Sequence, residues 1–177
     1  MKALVAYASR YGSTKGIAEF IAENLRKRGI PSDAMAVESI PDPGGYDAYV
    51  IGSAVYMSHW TKEASKFVRR NRTMLATKPV WLFSSGPLGT NKEDPLGRDL
   101  FKISESREFP ELKDLIKARE HRIFPGALDP NRLTLSHKVV RRMPAAMDLM
   151  PEGDFRDWKE IEEWADGIAR QLRTTSQ

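Results

Sequence analysis

Short apolar segments recur along the chain, separated by polar or glycine-rich stretches. Four of them are bounded by Pro, Gly or Ser and contain β-branched or aromatic residues, a pattern typical of buried strands. A weaker fifth segment, SDAMAV, follows Gly29 and Pro31. The pattern predicts strands at residues 2–8, 47–53, 79–85 and 121–127, with the weaker one at 32–37.

Between and after these strands, apolar residues recur with helical spacing. Asp157 precedes the last such stripe and is followed three residues later by Glu160, which is typical of a helix N-terminus. The pattern therefore predicts three helices. Their apolar stripes comprise Ile17, Phe20, Ile21 and Leu25; Ala64, Phe67, Val68 and Leu75; and Trp158, Ile161, Trp164, Ala165, Ile168 and Leu172.

Strands that alternate with helices predict right-handed crossovers and a mostly parallel sheet covered on both faces. No repeat, linker or second domain is evident, so we expect residues 1–177 to form one domain. Ligands of such sheets bind beyond the carboxyl ends of the strands. The candidate loops are therefore SRYGST, GSAVYMSHW and SSGPLGTNKED, which follow the strands predicted at 2–8, 47–53 and 79–85.

Composition narrows the chemistry. The 177 residues include no cysteine, which excludes disulfides, thiolate nucleophiles, iron–sulfur clusters and cysteine-based zinc sites. We expect no metal, and redox chemistry would require a bound cofactor.

The initial apolar run is too short for a signal peptide or a membrane span, which predicts a cytoplasmic location. A net charge of +4 favours anionic ligands, but the mixed charge is typical of a solvated surface, and we expect no nucleic-acid partner.

The turn after the first strand, YASRYGSTKG at residues 7–16, combines hydroxyl side chains with two glycines. It is not a P-loop, because Gly16 is not followed by Lys, and it lacks the GxGxxG spacing of a dinucleotide turn. The first strand also lacks the acidic residues of a phosphoacceptor domain. Ser9, Ser13 and Thr14 instead precede a helix N-terminus, where N–H groups attract an anion. The turn predicts a site for a single phosphate.

These loops resemble the three flavin-binding loops of the flavodoxin family, over residues 1–127 and the last helix. The resemblance implies an α/β fold: a doubly wound, five-stranded parallel sheet of order 2-1-3-4-5 with helices on both faces, and FMN as cofactor. The Tyr-bearing second loop, the Gly-Ala-Leu after the last strand and the Asp-Trp before the last helix resemble a narrower group, the flavodoxin-like menaquinone-dependent protoporphyrinogen oxidases.

The family pattern implies three sets of cofactor-binding residues. Small residues allow backbone amides to approach a flavin ring, and an aromatic side chain can stack on it. Alternatively, each glycine is an ordinary turn residue and the tyrosine of the second loop is a packing residue. The phosphate would contact Ser9, Arg10, Tyr11, Gly12, Ser13 and Thr14; one side of the isoalloxazine would face Ser53, Ala54, Val55 and Tyr56; and its other edge would face Ser85, Gly86, Pro87 and Gly89.

Two features depart from electron-carrier flavodoxins, which are typically acidic near the flavin. The second loop, residues 52–60, has no carboxylate, and Arg10 lies in the first loop. The site should therefore disfavour an anionic reduced flavin less than the acidic site of an electron carrier does.

The second feature is an insertion at residues 129–154, which carries methionines, a cluster of basic residues and Pro144. It is either a flap that grips a hydrophobic anion or contacts a membrane surface, or a loop that covers the sheet edge.

We therefore expect an FMN-dependent oxidoreductase that passes electrons from an organic substrate to a quinone or another acceptor. The narrower resemblance suggests a porphyrinogen, such as protoporphyrinogen IX, as substrate. His59 is a candidate catalytic residue because it lies in the second loop and could donate a proton during flavin reduction, although an ordinary polar role is equally consistent. The alternatives are an electron carrier without its own substrate and a flavin-free interaction domain.

Overall fold

Five parallel strands form the central sheet of the computed structural model, which describes residues 1–56, 58–86, 99, 105–135 and 152–174. The sheet order is β2-β1-β3-β5-β6, and the short β4 pairs antiparallel with β3. Counting the parallel strands alone, this is the expected order 2-1-3-4-5. The strands of this sheet are β1 (Ala3–Ala8), β2 (Ser32–Ala36), β3 (Ala48–Tyr56), β4 (His59–Trp60), β5 (Val80–Ser85) and β6 (Glu120–Phe124).

The short strands were not predicted, because two residues are too few to show an alternating pattern. Besides β4, they are β7 (Ala127–Leu128) and β8 (Gly153–Asp154), which pair antiparallel with each other. The strand predicted at 121–127 ends at Phe124 instead, and Pro125, which has no N–H to donate to a neighbouring strand, follows it. The chain between β6 and β7 thus leaves the parallel sheet directly after its last strand.

Five α-helices lie in the part of the chain that the structure describes. They are α1 (Ser13–Lys27), α2 (Lys62–Arg70), α3 (Arg72–Leu75), α4 (Phe109–Ile116) and α5 (Trp158–Thr174), with short 3-10 helices at Val37–Ser39, Pro43–Gly45 and Pro130–Arg132. None of these helices is long and apolar enough to cross a bilayer.

Helices α1 and α5 cover one face of the sheet with the predicted apolar stripes. Trp164 of α5 packs edge-to-face against Phe83 and Phe124, with ring centroids 6.3 and 5.4 Å apart. Asp157 caps α5 as predicted, because the backbone N–H of Glu160 donates to its Oδ1 at 3.0 Å. This face therefore follows the sequence pattern closely.

Helices α2, α3 and α4 cover the opposite face, which confirms a sheet with helices on both sides. The stripe predicted from Ala64 to Leu75 belongs to two helices, because α2 ends at Arg70 and Asn71 separates it from α3. The side-chain amide of Asn71 donates to the carbonyl of Phe67 at 2.8 Å. Helix α4 was not predicted. It has only eight residues, of which Phe109, Leu112 and Ile116 are buried.

Gly52 and Phe83 lie side by side on β3 and β5, the two strands that lead into the second and third loops. A Cβ built at Gly52 would lie 2.0 Å from Cζ of Phe83, so the ring covers the glycine backbone. Phe83 is fully buried and packs against Trp164, so it has little room to move. A glycine at this position therefore determines how the core packs directly behind the second loop.

We expect Gly52→Ala to lower the free energy of unfolding by about 2 kcal/mol or more, because the added methyl overpacks the core. Gly45→Ala is the matched control, since nothing lies within 4 Å of a Cβ there. It should change stability by less than about 0.5 kcal/mol. Urea unfolding measures both, and equal effects of the two substitutions would contradict the close contact.

Candidate functional site

The first loop joins β1 to α1 through a tight turn at Gly12. Gly12 has φ +94°, a left-handed conformation that favours glycine, and its N–H donates to Ser9 Oγ at 3.0 Å. Helix α1 begins at Ser13 and has no acidic residue in its first turn. Because the first N–H groups of a helix have no partner within it, they give this turn a positive potential.

Thr14 carries a buried hydroxyl without a partner. Its side chain is 0 % exposed, and its Oγ1 has no hydrogen bond in the part of the chain that the structure describes. An unpaired buried hydroxyl costs about 1–3 kcal/mol, so its presence at the start of a helix suggests a functional reason. A phosphate oxygen at this turn would be a suitable acceptor, given a small adjustment of the loop.

The Ser13 hydroxyl connects the first loop to two other segments. Ser13 Oγ lies 3.2 Å from Ser85 Oγ at the end of β5, and it accepts a hydrogen bond from the N–H of Ala127 at 2.9 Å. Gly86 follows with φ +133°, and its N–H donates to the carbonyl of Phe124. The first and third loops are thus held together. Pro87 and Gly89, also predicted for the third loop, lie outside the described residues.

The second loop is a hairpin formed by β3 and β4. Its register pairs Val55 with Trp60 and Tyr56 with His59, while Ala54 lies beside Ser85 on the neighbouring strand. The first two predicted loops and the described start of the third, Ser85 and Gly86, therefore meet at the carboxyl edge of the sheet.

Two residues predicted for the second loop differ in what they offer a ligand. The hydroxyl of Ser53 is fully buried and bonded to Thr61 and to the carbonyl of Ala54, so it supports the hairpin. Tyr56 is less buried, and the guanidinium of Arg10 lies over its ring at 4.8 Å from the centroid. Burial raises the pKa of Tyr56 to about 12, and Arg10 opposes this rise, so the phenol is neutral at ordinary pH. An aromatic face with an adjacent cation thus borders the site.

His59 forms a hydrogen bond with a carboxylate that the sequence did not indicate. Its Nδ1 lies 2.7 Å from Oε1 of Glu108, whose other oxygen accepts hydrogen bonds from Ser106 and the N–H of Trp60. Burial alone would raise the pKa of Glu108, but these hydrogen bonds outweigh it and lower the pKa to about 2. A charged carboxylate therefore orients the His59 ring. No local signal relates two residues that are 49 positions apart.

A second histidine, His121, supports the hairpin from the core side. Ser84 Oγ accepts a hydrogen bond from Trp60 Nε1 at 2.8 Å and lies 2.9 Å from His121 Nε2. The His121 ring stacks on Phe109 at 3.8 Å between centroids. Burial, with a smaller contribution from the Lys113 cation, lowers the pKa of His121 to about 4. This histidine is therefore a neutral structural residue.

A basic cleft of about 530 Å³ lies beside the hairpin, along α2. Arg69 pairs with Glu111, whereas Lys62, Lys66 and Arg70 have no ion pair with any residue that the structure describes. The cleft therefore presents unpaired positive charge next to the second loop. It is lined by Trp60, Lys62, Ser65, Lys66, Arg69, Arg70, Arg72 and Glu108.

The parallel sheet with helices on both faces, and the loops that meet at the carboxyl edge of its strands, define a doubly wound α/β protein. A family model described as a flavodoxin domain matches residues 4–152. The chain therefore belongs to the flavodoxin family. Membership implies a flavin cofactor, and the turn at Gly12 with the unpaired Thr14 hydroxyl fits the phosphate of such a group.

Individual relatives agree with this assignment. The chain is 33 % identical over 86 residues to the protoporphyrinogen IX dehydrogenase (quinone) of Escherichia coli strain K12, and equally to that of strain O157:H7. The match covers 48 % of this chain and 48 % of theirs, so the chain spans about half the length of the curated relatives it matches.

Solved structures resemble the chain over nearly its whole length. An archaeal flavodoxin has a TM-score of 0.60 at 18 % identity, covering 98 % of this chain and 99 % of its own. Oxidised flavodoxin 2 from Bacillus cereus has a TM-score of 0.59 at 21 % identity, covering 97 % and 99 %. At such identities the likeness establishes the fold.

The low pKa of His121 makes stability depend on pH. Its ordinary value is 6.5, so the unfolded chain takes up a proton between pH 6.5 and pH 4 while the folded protein does not. Stability from this group is present above pH 6.5 and is lost as the pH falls toward 4. We expect the titration of His121 to lower the free energy of unfolding by about 2 kcal/mol between pH 7 and pH 5, as measured by urea unfolding.

His121→Gln should be less stable at pH 7 but should lack this decrease between pH 7 and pH 5. Phe109→Leu removes the stacking partner yet keeps the titrating ring, so it should retain most of the decrease. If the unmodified protein and His121→Gln lose the same stability over this range, the assignment of His121 as a buried, neutral residue is wrong.

Proposed function

We propose that this chain binds FMN non-covalently at the three loops and is an oxidoreductase that passes electrons from an organic substrate of the porphyrinogen class to a quinone. The observation that carries the proposal is the first loop. Its positive helix N-terminus and the unpaired Thr14 hydroxyl suit one terminal phosphate, and it lacks the glycine pattern of a dinucleotide turn. This favours FMN over FAD.

When bound, FMN supplies a ring that accepts a hydride or single electrons from a substrate. The chain would orient that ring between the hairpin and the end of β5, with the Tyr56 face on one side. The Arg10 guanidinium over Tyr56 adds positive charge at this border. A positive surrounding stabilises an anionic reduced ring, which favours an electron acceptor of moderate potential over a very low-potential carrier.

His59 is the candidate for proton transfer in this proposal. Its side chain is 50 % exposed, the Glu108 carboxylate contacts Nδ1, and no hydrogen bond joins Nε2 to any residue that the structure describes. A ring held in this way can give or take a proton at Nε2 without turning. Glu108 would act as a positioning residue, because its carboxylate contacts the ring and not the substrate.

The substrate class is supported by charge and by the relatives. The names of the Escherichia coli relatives give protoporphyrinogen IX and a quinone as their reactants. A porphyrinogen carries carboxylates, and Lys62, Lys66 and Arg70 beside the hairpin have no ion pair with any residue in the described ranges. A peripheral membrane contact, where a quinone resides, also belongs to this proposal. The basic cluster of the insertion, expected to grip a hydrophobic anion or contact a membrane surface, consists of Lys138, Arg141 and Arg142, which lie outside the described residues.

We expect Thr14→Val to have opposite effects on stability and on ligand binding. Without ligand, the substitution removes an unpaired buried hydroxyl and should raise the free energy of unfolding by up to about 1 kcal/mol. Affinity for FMN should fall about tenfold, because a hydrogen bond to a charged phosphate is lost. Affinity for riboflavin, which has no phosphate, should change less than about twofold. Fluorescence titration of both flavins measures this.

Ser13→Ala is the control for Thr14→Val. The Ser13 hydroxyl is already bonded to Ser85 and Ala127, so its loss should lower stability and weaken both flavins together. If Thr14→Val also weakens both flavins alike, the phosphate does not lie at this turn. If the unmodified protein binds FAD as tightly as FMN, the preference for a mononucleotide is wrong.

The combined replacement Lys62→Gln, Lys66→Gln and Arg70→Gln should lower kcat/KM for protoporphyrinogen with a soluble quinone by about tenfold at low salt. The loss should shrink at 0.5 M salt, where screening acts over about 4–5 Å, and FMN affinity should stay unchanged. Replacing Lys27, Lys159 and Arg173 by Gln removes the same charge from the opposite face of the sheet and should change kcat/KM less than about twofold.

Steady-state kinetics of the unmodified protein also separates the enzyme from the alternatives. Turnover of the porphyrinogen no faster than with free FMN, together with normal exchange of electrons with a neutral dye, would favour an electron carrier. A purified protein whose absorption spectrum does not change on addition of FMN would favour a flavin-free interaction domain.

A further inference from the structure

The segment that follows β6 packs on the first loop at three points. Ala127 N–H donates to Ser13 Oγ, and Tyr11 Oη lies 3.4 Å from Thr134 Oγ1. Between them, Nη1 of Arg132 lies 2.7 Å from where a Cβ would be built on Gly12. A guanidinium therefore lies directly against the glycine at the centre of the turn.

Local structure holds Arg132 in this position. Asp129 caps the 3-10 helix Pro130–Arg132 by accepting a hydrogen bond from the N–H of Asn131 at 2.9 Å. Leu133, the next residue, is buried, which anchors the segment on the domain. Asp129 Oδ2 lies 3.6 Å from Nε of Arg132, on the other side of the guanidinium from Nη1. The backbone at Arg132 is thus held by its neighbours, its Nε contacts Asp129, and its Nη1 contacts the turn.

We infer that Arg132 is a phosphate-recognition residue, which supplies the positive charge that balances the phosphate of FMN. This inference rests on the proposed binding of FMN. The first loop itself holds one arginine, Arg10, but its guanidinium lies over the Tyr56 ring. Arg132, 118 positions after the end of the loop at Thr14, is instead the cation that contacts the turn itself.

The charge of the ligand explains why this contact matters. A phosphate monoester carries close to two negative charges above its second pKa of about 6, whereas a helix N-terminus offers about half a positive charge. The guanidinium adds a full charge and up to two donors to the same place. Its side chain is 65 % exposed, so the contribution is moderate and sensitive to salt.

The test is a fluorescence titration of the full chain, freed of flavin, with FMN and with riboflavin. Arg132→Gln should weaken FMN about tenfold at low salt and riboflavin less than twofold, and Arg132→Lys should recover part of the loss. The effect on FMN should shrink in 0.5 M salt and below about pH 6, where the phosphate loses a charge.

Arg10→Gln and Arg170→Gln are controls that remove the same charge. Arg10→Gln should affect both flavins alike, because its guanidinium lies over the ring of Tyr56. Arg170→Gln should affect neither flavin, because Arg170 is exposed near the end of α5, where Arg173 contacts the carbonyl of Arg28 at the opposite end of α1 from the first loop. Equal loss of both flavins in Arg132→Gln, or a phosphate-selective loss in Arg10→Gln instead, would overturn the inference. If the unmodified protein binds no FMN, the proposed function fails and the inference with it. If it binds FMN and Arg132→Gln keeps the full preference over riboflavin, the inference alone fails.

Discussion

The hydroxyl of Ser13 is the contact on which the site depends. A single oxygen at the start of α1 meets Ser85 at the end of β5 and the N–H of Ala127 after β6. These three segments are more than 40 residues apart from one another in sequence, and parallel strands bring them to one edge of the sheet. The hydrogen bonds then set the spacing between the loops. A ligand between them therefore meets a site whose width is already determined by the protein.

The second loop is positioned by a different set of contacts. Trp60 reaches down from β4 to Ser84, and behind it lies the neutral ring of His121. On the outer side, His59 pairs with Glu108 just before α4. The hairpin is thus anchored below by neutral hydrogen bonds and outside by charge. The hairpin therefore has two separate anchors, one in the core and one at the surface.

Much of the fold could be predicted from sequence, since buried strands and amphipathic helices leave periodic patterns. The stripe from Trp158 to Leu172 and the Asp157 cap are examples of local signals that were sufficient. Helix α4 was not predicted, because eight residues with three buried side chains are too short to show a clear helical period. The hydrogen bond of His59 with Glu108 and the approach of Arg132 to Gly12 join residues far apart in sequence. Only tertiary packing brings such pairs together, so no local pattern reports them.

The packing of Phe83 on Gly52 links the core to the evolution of the site. Because the aromatic ring fills the volume that a side chain at position 52 would need, the two positions cannot enlarge independently. Among related sequences we expect them to vary as a pair, with a larger residue on β3 accompanied by a smaller one on β5. A lineage that alters its second loop would thus have to cross a stability barrier unless both substitutions arise together, which restricts how this family can diversify its ligands.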